Sequence, residues 1–261
     1  MKYKAIFVDL DRTLLRDDKS LSDYTISVLK KCKDLGIKIV VASARPLRNI
    51  VYYDSIIEFD ALVVSNGARI IKDSESFEYK IPYDSGSKVL DLVLNNSDMQ
   101  LTIETGEEAY SNVHLSYFDT IISDDLYSIL KEEGSLKMVV GIKDANTYDM
   151  VNRVLDDDVY CTIANNYVVQ IMSKEATKWN GVSKVIELFG FDSSECMYFG
   201  DDFDDVKPIE KCGCGVAMEN AIVECREVSN YICKTNEEDG VAHFIDEYLF
   251  GGKLWNYLLM L

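Results

Sequence analysis

The sequence is short of cations, of histidine and of proline. Twenty-seven Lys and Arg stand against forty-five Asp and Glu, a formal net charge of −18. Such a chain is a poor partner for nucleic-acid backbones or anionic membranes, because both are polyanions. The imbalance also sets a condition: an anionic substrate would need a local cation strong enough to overcome the general field. The two histidines, His114 and His243, are isolated from one another and lack partners at motif spacing, which argues against a histidine-based nucleophile relay. Both read as structural, with contact to substrate as the alternative for His114. The seven cysteines are odd in number and contain no CxxC pair, so reduced thiols in a cytoplasmic setting are expected. No Pro- or Gly-rich linker, internal repeat or low-complexity segment is visible.

Long apolar runs are missing too. The N-terminal run is interrupted by Asp9, so no signal peptide is expected there. The C-terminal LWNYLLML (254–261) is far shorter than the roughly 20 helical residues that span a bilayer. A tail helix packed on the core is expected there, with a dimer contact as the alternative; the oligomeric state is open.

What the sequence does have is a chain able to bury a core, with 48% apolar and 28% charged residues over 261 positions. KAIFV (4–8), IKIVVAS (37–43) and ALVVSNG (61–67) read as strands. SDYTISVLKKCKDLG (22–36) reads as a helix between the first two, with Ser22 as N-cap and Gly36 as its C-terminal stop. Strands apolar on both faces and separated by helices predict a doubly wound parallel α/β sheet. The middle third differs. Helices over 85–96, 122–134 and 147–157 and strands over 100–106, 136–143 and 166–172 predict a smaller α+β unit of half-exposed strands. The last third returns to the first pattern, with a helix over 181–190 and strands over 195–200, 212–218 and 230–234. The expected organisation is therefore a Rossmann-like core (1–82 and 170–261) interrupted by an inserted domain (83–169), its edges near Pro82 and Val169.

In such sheets ligands sit beyond the carboxyl ends of the strands, and four predicted strand ends carry polar residues. They are Asp9 with Asp11; Ser43 followed by Arg45; Ser65, Asn66 and Gly67; and the acidic cluster Asp201, Asp202, Asp204 and Asp205. Asp9 and Asp201 could jointly chelate a hard divalent cation, for which carboxylate, carbonyl and water ligands suit Mg²⁺. In the D-x-D pair one carboxylate can attack phosphorus while the other moves a proton to and from the leaving group.

The segments DLDRTLL, VVASARP, TKWNGVSK and FGDDFDD…CGVAMENA resemble, in order and spacing, the four motifs of the haloacid dehalogenase-like phosphohydrolases. More closely, they resemble the Cof-type members with an inserted α/β (C2B-type) cap. The resemblance covers essentially the whole chain. It implies that Asp9 is the nucleophile and a Mg²⁺ ligand, and that Asp11 is the general acid and base with its carbonyl on the metal. It implies that Ser43 and Lys178 hold the phosphoryl group, that Asp201 completes the metal's protein ligands, and that Asp205 supports them. Arg45, Asn66, Gly67, Asp204 and Asn220 would contact substrate. Cys212 and Cys214 fall where relatives have small buried residues and read as core. Two positions depart from the family pattern: Arg12 replaces a usual Gly, with its side chain expected to face solvent or, as the alternative, to add positive charge at the cleft mouth, and Asp204 replaces a usual Asn that helps hold phosphate.

The function expected from this resemblance is a Mg²⁺-dependent phosphatase. It would act on a small phosphorylated metabolite such as a sugar phosphate, through an aspartyl-phosphate on Asp9, with the cap closing over the substrate. A phosphomutase of the same superfamily and a non-catalytic phospho-acceptor or metabolite-binding module are the alternatives.

Overall fold

The computed structural model describes residues 2–114, 119–164 and 166–251; the predicted C-terminal tail helix lies outside them. The described residues of 1–45, 49–76 and 177–261 form one compact unit, and those of 46–48 and 77–176 form a second. The divisions at 76/77 and 176/177 lie outside the expected edges at Pro82 and Val169.

In chain order the strands are β1 (Ala5–Val8), β2 (Lys38–Ala42), β3 (Ala61–Val64), β4 (Arg69–Lys72), β5 (Glu75–Glu78), β6 (Leu101–Glu104), β7 (Ala109–Ser111), β8 (Ile121–Ile122), β9 (Lys137–Gly141), β10 (Val159–Ala164), β11 (Val168–Ser173), β12 (Cys196–Gly200), β13 (Cys214–Met218) and β14 (Tyr231–Cys233). The first unit holds the sheet β14-β13-β12-β1-β2-β3-β4-β5. Every pairing from β14 across to β3 is parallel, and β4 joins β3 antiparallel. β1, β3, β12 and β13 are buried along their whole length, which is why they read as continuous apolar runs rather than alternating ones. Phe7, Tyr198 and Phe199 are the largest side chains at the middle of this core, each contributing roughly 1.5–3 kcal/mol by burial. Cys212 and Cys214 are buried.

The order matters for function. β1 has β12 on one side and β2 on the other, so the winding reverses beside it. A parallel sheet leaves a crevice at the carboxyl edge of such a switch point.

The second unit is a sheet of order β10-β11-β9-β6-β7-β8. The helices Tyr83–Leu94, Leu126–Glu132 and Thr147–Val154 pack Val89, Leu90, Leu130 and Val151 with Leu101, Met138 and Ile171 of that sheet. The helix expected over 122–134 is shorter. Ile121–Ile122 pairs with β7, and the helix starts at Leu126, where the Asp125 carboxylate accepts from Ser128 N at 3.1 Å. The N-cap, not the apolar pattern, sets that boundary. Among the described residues no helix is long and apolar enough to cross a membrane.

Candidate active site

Four strand ends of the first unit, β12, β1, β2 and β3, point the same way and lie side by side. They carry Asp201, Asp9, Ser43 and Asn66 to one edge. Each is buried: Asp201 is 3% exposed, Asp9 5%, Ser43 1% and Asn66 3%. Four polar side chains held dry at one edge need partners, and the partners define the site.

The central partner is Lys178. Its Nζ lies 2.7 Å from Asp9 Oδ1 and 2.7 Å from Asp205 Oδ1, and it is itself 4% exposed. Lys178 is the first residue of the helix Lys178–Phe189, capped by Thr177, whose hydroxyl accepts from Asn180 N at 3.1 Å. A cation at a helix N-terminus opposes the macrodipole, so local propensity does not explain its place. The neighbouring carboxylates do. Burial pulls the lysine pKa down, but Asp205 and Asp9 outweigh it and the net shift is upward; the ammonium stays charged. Two glycines let this helix approach β3. A Cβ on Gly181 would meet Val63 Cγ1 at 2.4 Å. Gly67, at φ +91°, would place a Cβ 2.1 Å from Thr177 O, so the turn after β3 presses directly on the cap before Lys178.

Asp205 is saturated. Its Oδ1 accepts from Lys178 and, at 2.6 Å, from Tyr198 Oη; its Oδ2 accepts from the Asp201 and Asp202 backbone amides at 3.1 and 3.2 Å. It is the third helical residue of Phe203–Lys211 and completes a capping box with Asp202. With its acceptor sites filled, it holds its neighbours rather than offering an oxygen. Ligand oxygens of Asp9, Asp201 and Asp205 nonetheless lie within 4.8 Å of one another.

One lysine cannot balance three buried carboxylates. Burial pushes Asp9 well above the usual carboxylate range against the pull of Lys178, with Asp205 and Asp201 adding to the rise, and burial followed by Asp205 pushes Asp201 up to about 6. A hard divalent cation between Asp9 and Asp201 would remove that penalty, and the donor set, all oxygen, suits Mg²⁺. Asp201 is already oriented for it: Oδ1 accepts from Thr13 Oγ1 at 2.9 Å.

Asp11 sits apart from this buried cluster. Arg45 donates to it twice, Nε to Oδ2 at 2.6 Å and Nη2 to Oδ1 at 2.7 Å, and Lys19 Nζ adds a contact to Oδ1 at 2.7 Å. Partial burial works to raise its pKa, but Arg45 and Lys19 override it and hold the carboxyl down at about 2. Tyr53 completes the ring: its hydroxyl accepts from Arg45 Nη1 at 3.4 Å and donates to Lys19 O at 3.1 Å.

The remaining expected residues divide. Ser43 Oγ accepts from Arg45 N at 3.2 Å, and the Ser43 carbonyl accepts from Asn66 N at 3.1 Å. Asn66, at φ +58°, donates from Nδ2 to Asp204 Oδ2, while its own Oδ1 is buried with no hydrogen-bond partner among the described residues. Asn220 is engaged by the backbone: Nδ2 donates to Arg12 O at 2.8 Å and Oδ1 accepts from Asn236 N at 3.2 Å. Arg12 is exposed, yet it does not simply face solvent. Nη2 donates to Asn220 O at 3.1 Å, and Nη1 lies 3.7 Å from Asp201 Oδ2. Thr13, Tyr198, Lys19 and Tyr53 were not anticipated. Only Thr13 carried a signal, as a hydroxyl inside the acidic motif; the others meet the site through the fold. His243 packs against Tyr24, with ring centroids 4.9 Å apart.

Comparison with known proteins identifies the family and the fold. A family model described as haloacid dehalogenase-like hydrolase matches residues 6–245. A 5-amino-6-(5-phospho-D-ribitylamino)uracil phosphatase of Bacillus subtilis is 26% identical over 93% of this chain and 96% of its own. A phosphoglycolate phosphatase of Methanococcoides burtonii is 25% identical over 97% of this chain and 100% of its own. Among solved structures, a haloacid dehalogenase-like hydrolase from Bacteroides thetaiotaomicron superposes with a TM-score of 0.84 at 25% identity, covering 94% of this chain and 99% of that one. A subclass IIB sugar phosphatase does so at 0.80 and 19% identity, covering 95% and 99%, which speaks to fold alone.

Proposed function

The chain belongs to the haloacid dehalogenase-like hydrolases and acts as a phosphatase, and from that premise we propose that it hydrolyses a small phosphorylated metabolite, of the sugar- or polyol-phosphate class, with Asp9 as the nucleophile and Mg²⁺ as cofactor. The observation that carries the reading is Lys178 bridging Asp9 and Asp205, with Asp201 beside them, at the carboxyl edge of the parallel strands. That is a fixed, dry nucleophile with a cation already against it, and phosphoryl transfer needs positioning and charge stabilisation above all. The phosphorylated ribityl compound in the name of the Bacillus subtilis relative supports the substrate class.

In this reading Asp9 attacks phosphorus in line and the P–O bond to the alcohol breaks. The leaving oxygen takes a proton from Asp11. Water, deprotonated by Asp11, then attacks the aspartyl-phosphate, releasing phosphate and restoring Asp9. Lys178 and the Ser43 hydroxyl hold the equatorial oxygens. Bound to Asp9, Asp201 and the Asp11 carbonyl, Mg²⁺ would supply the positive charge this acidic chain otherwise lacks. Asn66 Oδ1, buried and unpaired, is an acceptor for a substrate hydroxyl. The clamp on Asp11 has a specific implication. Paired with Arg45 and Lys19 it is the carboxylate, the form that serves as base; to serve as acid it must leave them and take up a proton.

The test is phosphate release from a panel of sugar, polyol and small-acid phosphates with Mg²⁺, alongside Asp9→Asn. Full activity in Asp9→Asn would end the mechanism. A labelled aspartyl-phosphate that persists without turnover would favour a phospho-acceptor module instead. Isomerised sugar phosphate in place of free phosphate would favour a mutase.

A further inference from the structure

We propose that Arg12 is a positioning residue of the metal site: it acts as a resident counter-ion for Asp201 in the metal-free protein and thereby weakens divalent-cation binding there. The inference rests on the reading of Asp9 and Asp201 as metal ligands.

Three observations carry it. The first is backbone. Arg12 sits at φ +60°, a left-handed conformation that a side-chain-bearing residue holds at a cost and glycine does not. An arginine here is not the residue that the turn itself favours. The second is anchoring. Arg12 and Asn220 are tied reciprocally, Asn220 Nδ2 to the Arg12 carbonyl at 2.8 Å and Arg12 Nη2 to the Asn220 carbonyl at 3.1 Å. A loose surface arginine makes no such two-point contact. The Nη2 contact places the guanidinium with Nη1 3.7 Å from Asp201 Oδ2.

The third is the occupation of Asp201. Its Oδ1 accepts from Thr13 Oγ1, so Oδ2 is the oxygen without a hydroxyl donor, and Arg12 faces it. The two cations at the site then differ in kind. Lys178 is 4% exposed at its side chain and locked between two acids; Arg12 is 56% exposed and can swing out without stranding a buried charge. A cation arriving at Asp201 must share that oxygen with a guanidinium or displace it. Repulsion between a unit charge and a divalent ion a few ångströms apart, reduced by the solvent around Arg12, amounts to about tenfold in affinity.

The experiment is calorimetric titration of Mg²⁺ into metal-stripped full-length protein, comparing wild type, Arg12→Gln and Arg12→Gly in low and moderate salt. Melting temperature with and without Mg²⁺ serves as a second readout. Gln keeps the backbone strain but removes the guanidinium, its charge and its contact with the Asn220 carbonyl; Gly also relieves the backbone. Both variants are expected to bind Mg²⁺ about tenfold more tightly than wild type, to gain more melting temperature from it, and to converge with wild type as salt rises. Affinities within twofold of wild type, or weaker, overturn the role. Tighter binding in Arg12→Gly alone assigns the effect to the backbone and overturns it equally. If neither wild type nor variants bind Mg²⁺, the metal reading falls and takes this inference with it, whereas equal binding in all three leaves the metal reading standing and removes Arg12 only.

Discussion

Arg45 holds Asp11 through a two-point fork, with N–O distances of 2.6 and 2.7 Å. Bidentate Arg–carboxylate pairs are among the stronger polar contacts a protein makes, and this one grips the residue assigned to proton transfer. The residues proposed as nucleophile and acid are therefore held differently by the fold. Asp9 is buried against Lys178; Asp11 is half-buried and held by groups that could release it. Chemistry at this site would begin with a change of partner at Asp11.

Asp11→Asn is expected to keep one of the two Arg45 contacts through the amide oxygen, to lose the other, and to remove the transferable proton. Removing a general acid and base costs roughly 10²–10⁴-fold. We expect kcat for a phosphate ester with a poor leaving group to fall by that order, with little change in melting temperature. A loss below threefold would take Asp11 out of the proton path.

Lys178→Met leaves Asp9 and Asp205 buried against each other without their cation. Breaking a buried pair by removing one partner typically costs about 3–5 kcal/mol. Urea denaturation of the metal-free variant should show a loss of that size, partly recovered by Mg²⁺. A variant as stable as wild type would mean that solvent or protonation already relieves the acids.

Asp204→Asn restores the residue usual in the family at that position and removes one negative charge beside the expected phosphate position. Inorganic phosphate should inhibit the variant about threefold to tenfold more strongly, the order expected from one screened like charge. Unchanged inhibition would indicate that the Asn66 hydrogen bond already turns the charge away.

His243 gives a pH dependence away from the site. Burial first, with Lys234 adding to it, lowers its pKa in the folded protein, against the opposing pull of Asp239, Glu247 and Asp246. A depressed folded pKa means that the unfolded chain binds the proton more readily. This contribution is therefore complete above the ordinary histidine pKa of about 6.5 and is lost as pH falls below it. Between pH 7.5 and 5.5 wild type should lose more melting temperature than His243→Gln. Parallel pH curves for the two proteins would remove the histidine from the account.

The sequence carried the sheet and the acids far better than it carried their partners. β1, β2, β3 and β12 are legible because burial on both faces leaves unbroken apolar runs, and each ends in a polar residue with no helical role. Helix Phe203–Lys211 was hidden inside an acidic cluster, although Asp202 and Asp205 form its capping box; acids suited to a metal site are also acids suited to a helix N-terminus. β4 and β5 read RIIK and ESFE, too charged for the apolar test. The Arg45–Asp11 fork and the approach of Arg12 to Asp201 join residues distant in sequence, and no local pattern announces such pairs. For Arg12 the sequence left solvent and the cleft mouth both open, because its tie to Asn220 has no local signature.

Thr177 returns beside Gly67, so for the catalytic unit everything from residue 77 to 176 amounts to one closed loop. The entropy of closing a loop grows only with the logarithm of its length, about 0.6 kcal/mol for each doubling. The inserted segment can lengthen, shorten or change sequence at little cost to the strands that hold Asp9 and Asp201. Evolution can thus rewrite that whole segment without disturbing the buried acids at the carboxyl edge of the sheet.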